Sequence, residues 1–169
     1  MKLLNRLLRP SPAAPAVLPL WRAVISEARD KRWYRDLGVA DTVEGRFDMV
    51  TMVLAAVLLQ IEREGDADSS VALTELFIDD MDAQLRQSGV GDLMVGKHVG
   101  KLMATLGGRI GALREALPVG GAALADAVAR NVSLVEGASS APLAEELRRL
   151  STRIDAVPID RLIDGALAA

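Results

Sequence analysis

Apolar residues recur at spacings of three and four along most of the chain, which is the spacing of one face of an α-helix. The clearest run lies between Asp41 and Glu64, and its apolar positions are Val43, Phe47, Val50, Leu54, Val57, Leu58 and Ile61. Residues 49–59 are apolar on nearly every side, yet this stretch is shorter than the about 20 residues needed to cross a bilayer. We therefore predict a buried central helix. Asp41 or Thr42 is expected to cap it, and Asp41 with Glu44 has the spacing of a capping box.

The same periodicity predicts further helices on either side of this one. Their expected ranges are about 20–32, 70–87, 92–117, 122–135, 142–157 and 158–167. Short stretches rich in glycine, serine or proline separate them, with Gly38 expected as a C-terminal cap and Ser69 or Ser70 as an N-terminal cap. No segment alternates with the period of two that a strand requires. We predict an all-α fold, a single compact multi-helix domain of about six or seven helices.

Residues 1–19 are predicted to form a flexible, basic and proline-rich N-terminal arm, and residues 20–169 the helical domain. In the arm, Lys2, Arg6 and Arg9 interrupt the leucines, which is not the pattern of a signal peptide. A frayed tail is the simpler interpretation, and contact with a membrane surface is the other one that a short basic amphipath allows. No other segment has the pattern of a transmembrane helix either.

Charge is unevenly distributed along the chain, although the net charge is only −3. Residues 1–35 contain eight Lys and Arg against two acids, whereas residues 36–92 contain three against thirteen. This separation indicates electrostatic docking, either within the fold or on an anionic surface. Trp33 and Tyr34 lie within the basic run KRWYR. Core packing is the simpler interpretation of these two aromatic residues, and contact with lipid headgroups is the alternative.

No group of residues indicates catalysis. The chain lacks cysteine, which excludes disulfides and thiolate metal sites. The string GDLMVGKH at 91–98 is close to a phosphate-binding P-loop, but His98 replaces the hydroxyl that binds Mg²⁺ and a helix precedes the string where a P-loop follows a strand. The segment starting at Asp66 begins like an EF-hand loop and lacks its glycine and its last glutamate. We predict no catalytic residue, no cofactor, no metal ion and no nucleic-acid partner.

Three carboxylates, Glu75, Asp79 and Asp82, share one face of the helix predicted over 70–87. A solvated acidic face is the commoner meaning of such a row. A metal-dependent enzyme using these carboxylates is the hypothesis that competes with it, and a basic partner is a third use of the same row.

Small residues repeat every four positions in the helix predicted over 92–117. They are Gly96, Gly100, Ala104, Gly108, Ala112 and Ala116. Each interior glycine costs a helix about 1 kcal/mol relative to alanine, so the series calls for close approach of another backbone. Because four residues exceed one turn of 3.6, the stripe winds slowly around the helix. Tight packing inside the domain and a groove for a partner helix explain it equally well, and Gly107-Gly108 could instead interrupt the helix.

Two strings resemble the ubiquinol–cytochrome c chaperone family, which includes mitochondrial assembly factors for cytochrome b. They are YRDLGVADTVEGRFDMV, from Tyr34 to Val50, and FIDDMDAQLRQSGVGDLMVGKHVGKL, from Phe77 to Leu102, followed by Gly108-Arg109. The likeness covers about residues 20–115. Beyond about Leu117 the chain is similar to the family only in being helical.

This resemblance implies a cofactor-free assembly factor that assists biogenesis of the cytochrome bc1 complex, with newly made cytochrome b or a bc1 assembly intermediate as its partner. The residues interpreted as client-binding are Tyr34, Arg46, Asp80, Asp82, Arg86 and Lys97, which fall on family positions, and Lys101. Those interpreted as turn or packing positions are Gly38, Gly89, Gly91, Asp92 and Gly96, together with Gly100, where the chain departs from the family. Asp41 and Gly45 also fall on family motif positions.

The chain is expected to be bacterial and cytoplasmic, peripheral to the inner membrane, because it is rich in Ala and Arg, poor in Lys and shows no targeting peptide. The alternative function is a homodimeric helical interaction module without a respiratory client, in which the small-residue stripe is the self-association face. The sequence leaves the oligomeric state open.

Overall fold

The computed structural model describes residues 14–87 and 95–167, and describes side chains only outside residues 85–96. These residues form eight helices. They are α1 (Ala14–Ala28), α2 (Lys31–Arg35), α3 (Val43–Arg63), α4 (Ala67–Gln87), α5 (Val95–Ala116), α6 (Gly121–Asn131), α7 (Ser140–Asp155) and α8 (Ile159–Ile163). Six helices have 11 residues or more, and α2 and α8 have five each. The predicted all-α domain is confirmed.

Helix α3 is the centre of the domain. Every residue from Asp48 to Ile61 is buried, and the helix packs against α1, α4, α5 and α7. A helix that is apolar on all sides is stable only when neighbours cover it completely. The prediction of a buried core helix is therefore confirmed. Within the ranges that the structure describes, no helix combines the length and apolarity needed to span a bilayer.

Helix α1 begins earlier than the sequence predicted. Residues 14–19, assigned to the flexible arm, form its first turns, and Val17 is fully buried among them. Pro15 lies in the first turn, where its missing N–H has no helical partner to lose. Pro19 forgoes one helical hydrogen bond, and burial of Val17 and Leu20 on either side of it favours the helix nonetheless. The rest of the predicted arm, residues 1–13, lies outside the described residues.

The start of α3 confirms Thr42, one of its two predicted caps, whereas the start of α4 corrects its predicted cap. Thr42 caps α3, its hydroxyl accepting a hydrogen bond from Gly45 N at 3.1 Å, so the proposed capping box of Asp41 with Glu44 is wrong. Helix α4 begins at Ala67, and Asp66 Oδ1 accepts from Ser69 N at 3.0 Å. Asp66 therefore takes the capping role that the sequence assigned to Ser69 or Ser70, because its carboxylate precedes the first helical turn.

Two loops meet at the amino end of α3. Val39 and Leu134 form an isolated antiparallel bridge, Ala40 N donates to Ser133 O at 2.9 Å, and Val135 N donates to Gly38 O at 2.9 Å. Gly38 has a φ of +78°, and a Cβ on it would lie 2.8 Å from Ala138 Cβ. Only glycine adopts this conformation readily beside so close a neighbour. The loop between α2 and α3 is thereby fixed to the loop between α6 and α7.

A buried ion pair joins α3, α5 and the second of these loops. Arg109 Nη2 donates to Asp48 Oδ1 at 2.5 Å, while Asp48 Oδ2 accepts from Ser133 N at 2.8 Å and Ser133 Oγ at 2.7 Å. Both charged side chains are buried. Every oxygen of the Asp48 carboxylate thus has a donor, as a buried charge requires.

The remaining helices pack on α3 or on the helices that surround it. Trp33 of α2 is fully buried, and its Nε1 donates to Glu27 O at 2.8 Å, so the core interpretation of Trp33 is confirmed. Helix α7 packs on α6 and α3, and α8 packs on α1. Helix α5 passes through Gly107-Gly108 without interruption, and its residues Leu106 and Leu113 are buried in the core.

Candidate functional site

Two of the predicted client-binding residues, Tyr34 and Arg46, line the same cleft. It has a volume of about 490 Å³ and is lined by Arg29, Lys31, Tyr34, Arg35, Asp41 and Arg46. We call it the basic cleft. Its residues come from the turn after α1, from α2 and from the segment that enters α3, and the turn at Gly38 lies between the last two.

The side chains of the basic cleft are held by local bonds. The Tyr34 hydroxyl donates to Ala28 O at 2.6 Å, and burial raises the pKa of this hydroxyl. Arg46 Nε donates to Asp41 Oδ1 at 2.7 Å. This hydrogen bond lowers the pKa of the Asp41 carboxyl and raises that of Arg46. Asp41 therefore pairs with Arg46 and does not cap α3, a role for which it was one of two candidates.

The other predicted client-binding residues lie on α4 and α5, which contact each other. Asp80 and Asp82 are half-buried on α4, and Lys97 and Lys101 lie one turn apart on α5, both exposed. The side chain of Arg86 is outside the described part of the chain. So are Gly89, Gly91 and Asp92, while Gly96 lies in the first turn of α5. The roles assigned to all of these residues stay predictions.

A second surface runs along α5. It consists of Gly100, Met103, Ala104, Gly107, Gly108 and Gly111, spaced by three and one alternately, and we call it the small-residue face. Gly111 is partly exposed and the other five are exposed; Met103 retains 44% of its accessible surface. A Cβ placed on Gly100, Gly107, Gly108 or Gly111 would have no atom of the neighbouring described elements within 4 Å.

The orientation of the small-residue face rules out internal packing for part of the glycine stripe. Close packing inside the domain is wrong for Gly100, Ala104 and Gly108, since all three face open space. Ala116, at the end of the stripe, is buried, as expected of a series that winds around the helix. Arg109 explains the orientation, because its bond to the buried Asp48 turns one side of α5 inward.

The comparisons with known proteins concern almost the whole chain. The family model described as Ubiquinol-cytochrome C chaperone matches residues 35–169. The chain belongs to this family. The match continues well past Leu117. The expectation that the C-terminal helices resemble the family only in being helical is therefore wrong. A search of curated proteins found no match.

A solved structure of similar fold agrees with this family assignment. The crystal structure of the Cbp3 homolog from Brucella abortus has a TM-score of 0.77 with this chain, at 28% sequence identity. The alignment covers 99% of this chain and 94% of the other. The ubiquinol-cytochrome C chaperone fold therefore extends over the helices that carry both the basic cleft and the small-residue face.

The acidic row on α4 belongs to no metal site that the structure describes. Among the described residues, no three His, Cys, Asp or Glu side chains are grouped so as to hold a metal ion. Burial raises the pKa of Asp79, and the neighbouring charge of Asp82 adds to this effect. A carboxylate-metal enzyme based on Glu75, Asp79 and Asp82 thus gains no support from the geometry.

Sequence reasoning missed two features of this chaperone's surface. Arg29, Asp41 and the two outer residues of KRWYR were not assigned to a common cleft, although the density of basic residues was a signal. Met103, Gly107 and Gly111 were not assigned to the stripe, because a spacing of four alone omits the positions three residues away. A helical-wheel spacing of three and four would have included them.

Proposed function

We propose that this protein assists assembly of the cytochrome bc1 complex by binding newly made cytochrome b through the small-residue face of α5. It does so as a non-catalytic chaperone peripheral to the cytoplasmic side of the bacterial inner membrane. Membership of the ubiquinol-cytochrome C chaperone family supports the bc1 assembly role. The choice of α5 as the client surface rests on the geometry of its glycines.

The observation that carries the proposal is that three glycines of one helix are exposed and have no neighbouring described residue within reach of an added side chain. Gly100, Gly107 and Gly108 each leave open space where a side chain would be. Each costs α5 about 1 kcal/mol relative to alanine, and no contact within the described fold offsets that cost. Glycine on an exposed helix face allows another helix to approach closely, as small residues do between membrane helices. Cytochrome b, a bundle of membrane helices, is a client of matching shape.

A photo-crosslinking experiment tests the assignment of the client surface. A photoreactive residue is introduced at Ala104 on the small-residue face, with Ala122, an exposed alanine of α6, as the matched control. Adducts from native membranes are then identified by mass spectrometry. We expect cytochrome b at position 104 and not at position 122. Adducts only between copies of this chain would favour the homodimeric interaction module, and light scattering would then show a mass that rises with concentration.

Replacing Gly100 with Leu should separate stability from client binding. Nothing lies within 4 Å of a Cβ at this position, so the variant should fold and gain about 1 kcal/mol of helix stability. The leucine would prevent close approach of a client helix, and overpacking of about 1–3 kcal/mol corresponds to a loss of capture of roughly 5-fold to 150-fold. Thermal unfolding and quantitative pulldown of cytochrome b measure the two effects.

The control for this substitution is Ala122→Leu, which adds a leucine to an exposed position of α6. It should leave cytochrome b capture unchanged. If Gly100→Leu captured cytochrome b as well as the wild type, the small-residue face would not be the client surface. If it unfolded the domain, the outward orientation of Gly100 would be wrong.

A further inference from the structure

We propose that the basic cleft binds the phosphate group of an anionic lipid headgroup. This inference rests on the peripheral membrane location proposed above and names the residues that would provide the contact. It is independent of the client assigned to α5, which lies outside the residues that line the cleft.

The charge of the cleft is strongly unbalanced. Four cationic side chains line it against one carboxylate, that of Asp41. Arg46 is paired with Asp41 at 2.7 Å, and Arg35 lies 3.3 Å from Asp36. Arg29 and Lys31 form no ion pair within the described residues. Positive charges that line a concave surface concentrate the electric field there and attract anions.

The donors and the volume fit a phosphate group. Three guanidinium groups and one ammonium group line the cleft, and guanidinium groups match phosphate oxygens in bidentate geometry. The volume of about 490 Å³ is within the usual range for small-molecule sites. Tyr34 forms part of the wall, and its hydroxyl is already engaged with Ala28 O, so the site offers charge and not a specific neutral hydrogen-bond pattern.

An exposed apolar residue beside the cleft favours a lipid over a soluble anion. Val43, in the first turn of α3, is 80% exposed. It precedes the cleft residue Arg46 by three positions, so the two share one face of the helix. Clusters of about four or more basic residues attract anionic lipid headgroups, and an apolar side chain beside them adds contact with the acyl boundary of the membrane. An acidic peptide would pair with the basic side chains of the cleft, but Val43 would stay exposed to water.

Flotation of the whole chain with lipid vesicles tests the proposal. The wild type, the double variant Arg29→Ala/Lys31→Ala and the control double variant Arg130→Ala/Arg161→Ala are mixed with phosphatidylcholine vesicles, with or without phosphatidylglycerol. All four substituted side chains are exposed and form no described ion pair, so circular dichroism should show all three proteins folded. Neither control residue lines the cleft.

We expect the wild type to bind only the vesicles that contain phosphatidylglycerol. Each basic residue near an anionic surface contributes about 1 kcal/mol, so the Arg29/Lys31 variant should bind about 30-fold more weakly while the control stays within about twofold of the wild type. Equal losses in both variants would mean net charge alone drives binding and would overturn the cleft assignment, as would no loss in either.

Two further outcomes distinguish the sources of failure. If the wild type bound no vesicle, the peripheral membrane location itself would be wrong, whatever the result of client crosslinking. If inorganic phosphate raised the melting temperature of the wild type but phosphatidylglycerol vesicles bound none of it, the ligand would be a free phosphate and the lipid assignment would be overturned.

Discussion

Replacing Arg109 with Met should destabilise the domain by about 3–5 kcal/mol, because it leaves the buried Asp48 carboxylate without its counter-charge. Arg109 retains only 7% of its accessible surface and bonds Asp48 Oδ1. Its guanidinium also lies 5.4 Å from the centre of the Phe47 ring. In the variant, Ser133 would be the remaining hydrogen-bond donor to the carboxylate. Urea denaturation measures the loss as a lower midpoint at an unchanged slope.

The double variant Asp48→Leu/Arg109→Met is the control for the Arg109 result. Removing both charges replaces the ion pair with apolar side chains, which is often nearly neutral for buried pairs. We expect it to recover more than half of the loss, although Ser133 N would lose its acceptor. A double-mutant cycle with Asp48→Leu gives the coupling energy. If Arg109→Met cost less than about 1 kcal/mol, Arg109 would not be the buried tie between α3 and α5.

Replacing Gly45 with Ala should cost about 3 kcal/mol or more, since the added Cβ would have to displace the backbone. It would lie 2.0 Å from the carbonyl oxygen of Ala40 and 3.0 Å from its carbon. Gly45 N also donates to the Thr42 cap, and Ala40 N is bonded to Ser133 O. Relief of the clash would therefore break the cap or separate the two loops. Thermal unfolding should show a clear fall in melting temperature.

Gly107→Ala is the matched control for Gly45→Ala. The same methyl group is added to a helix, but at a position where it meets nothing within 4 Å. There the expected change is a gain of about 1 kcal/mol from helix propensity. Opposite signs for the two substitutions would establish that the close approach of Ala40, and not glycine content, sets the cost at position 45. Equal melting temperatures for Gly45→Ala and the wild type would contradict this contact.

The elements predicted well are those with long apolar periodicity. Helix α3 follows from its sequence, because residues 49–59 are apolar on nearly every side and leave no polar face for solvent. The starts of helices were predicted less well where prolines, or several possible capping residues, lie close together. Prolines at 15 and 19 suggested a linker, and Ser69 and Ser70 competed with Asp66 for the cap of α4. Burial of Val17 and Leu20 favours a helix despite the prolines. At α4, the Asp66 carboxylate precedes the first turn and therefore caps the helix.

The surfaces could be predicted only in part. Small residues occur both in tightly packed cores and on exposed helix faces, so the stripe on α5 does not by itself indicate which way it faces. Its orientation depends on the contact of Arg109 with Asp48, which a local sequence pattern does not show. The basic cleft joins residues from three elements, and the turn that brings them together depends on Gly38 contacting Ala138, a hundred residues later in the chain. Contacts of such sequence separation leave no trace in local periodicity.

The burial of α3 has a consequence for how the protein is made. Synthesis proceeds from the amino end, so α3 leaves the ribosome before α5 and α7, two of the four helices that cover it. Until Asp155 at the end of α7 has been added, a helix that is apolar on all sides lacks part of its cover, and such intermediates are prone to aggregate. During its own synthesis this member of a chaperone family therefore exposes apolar helix surface of the kind that chaperones cover in other newly made proteins.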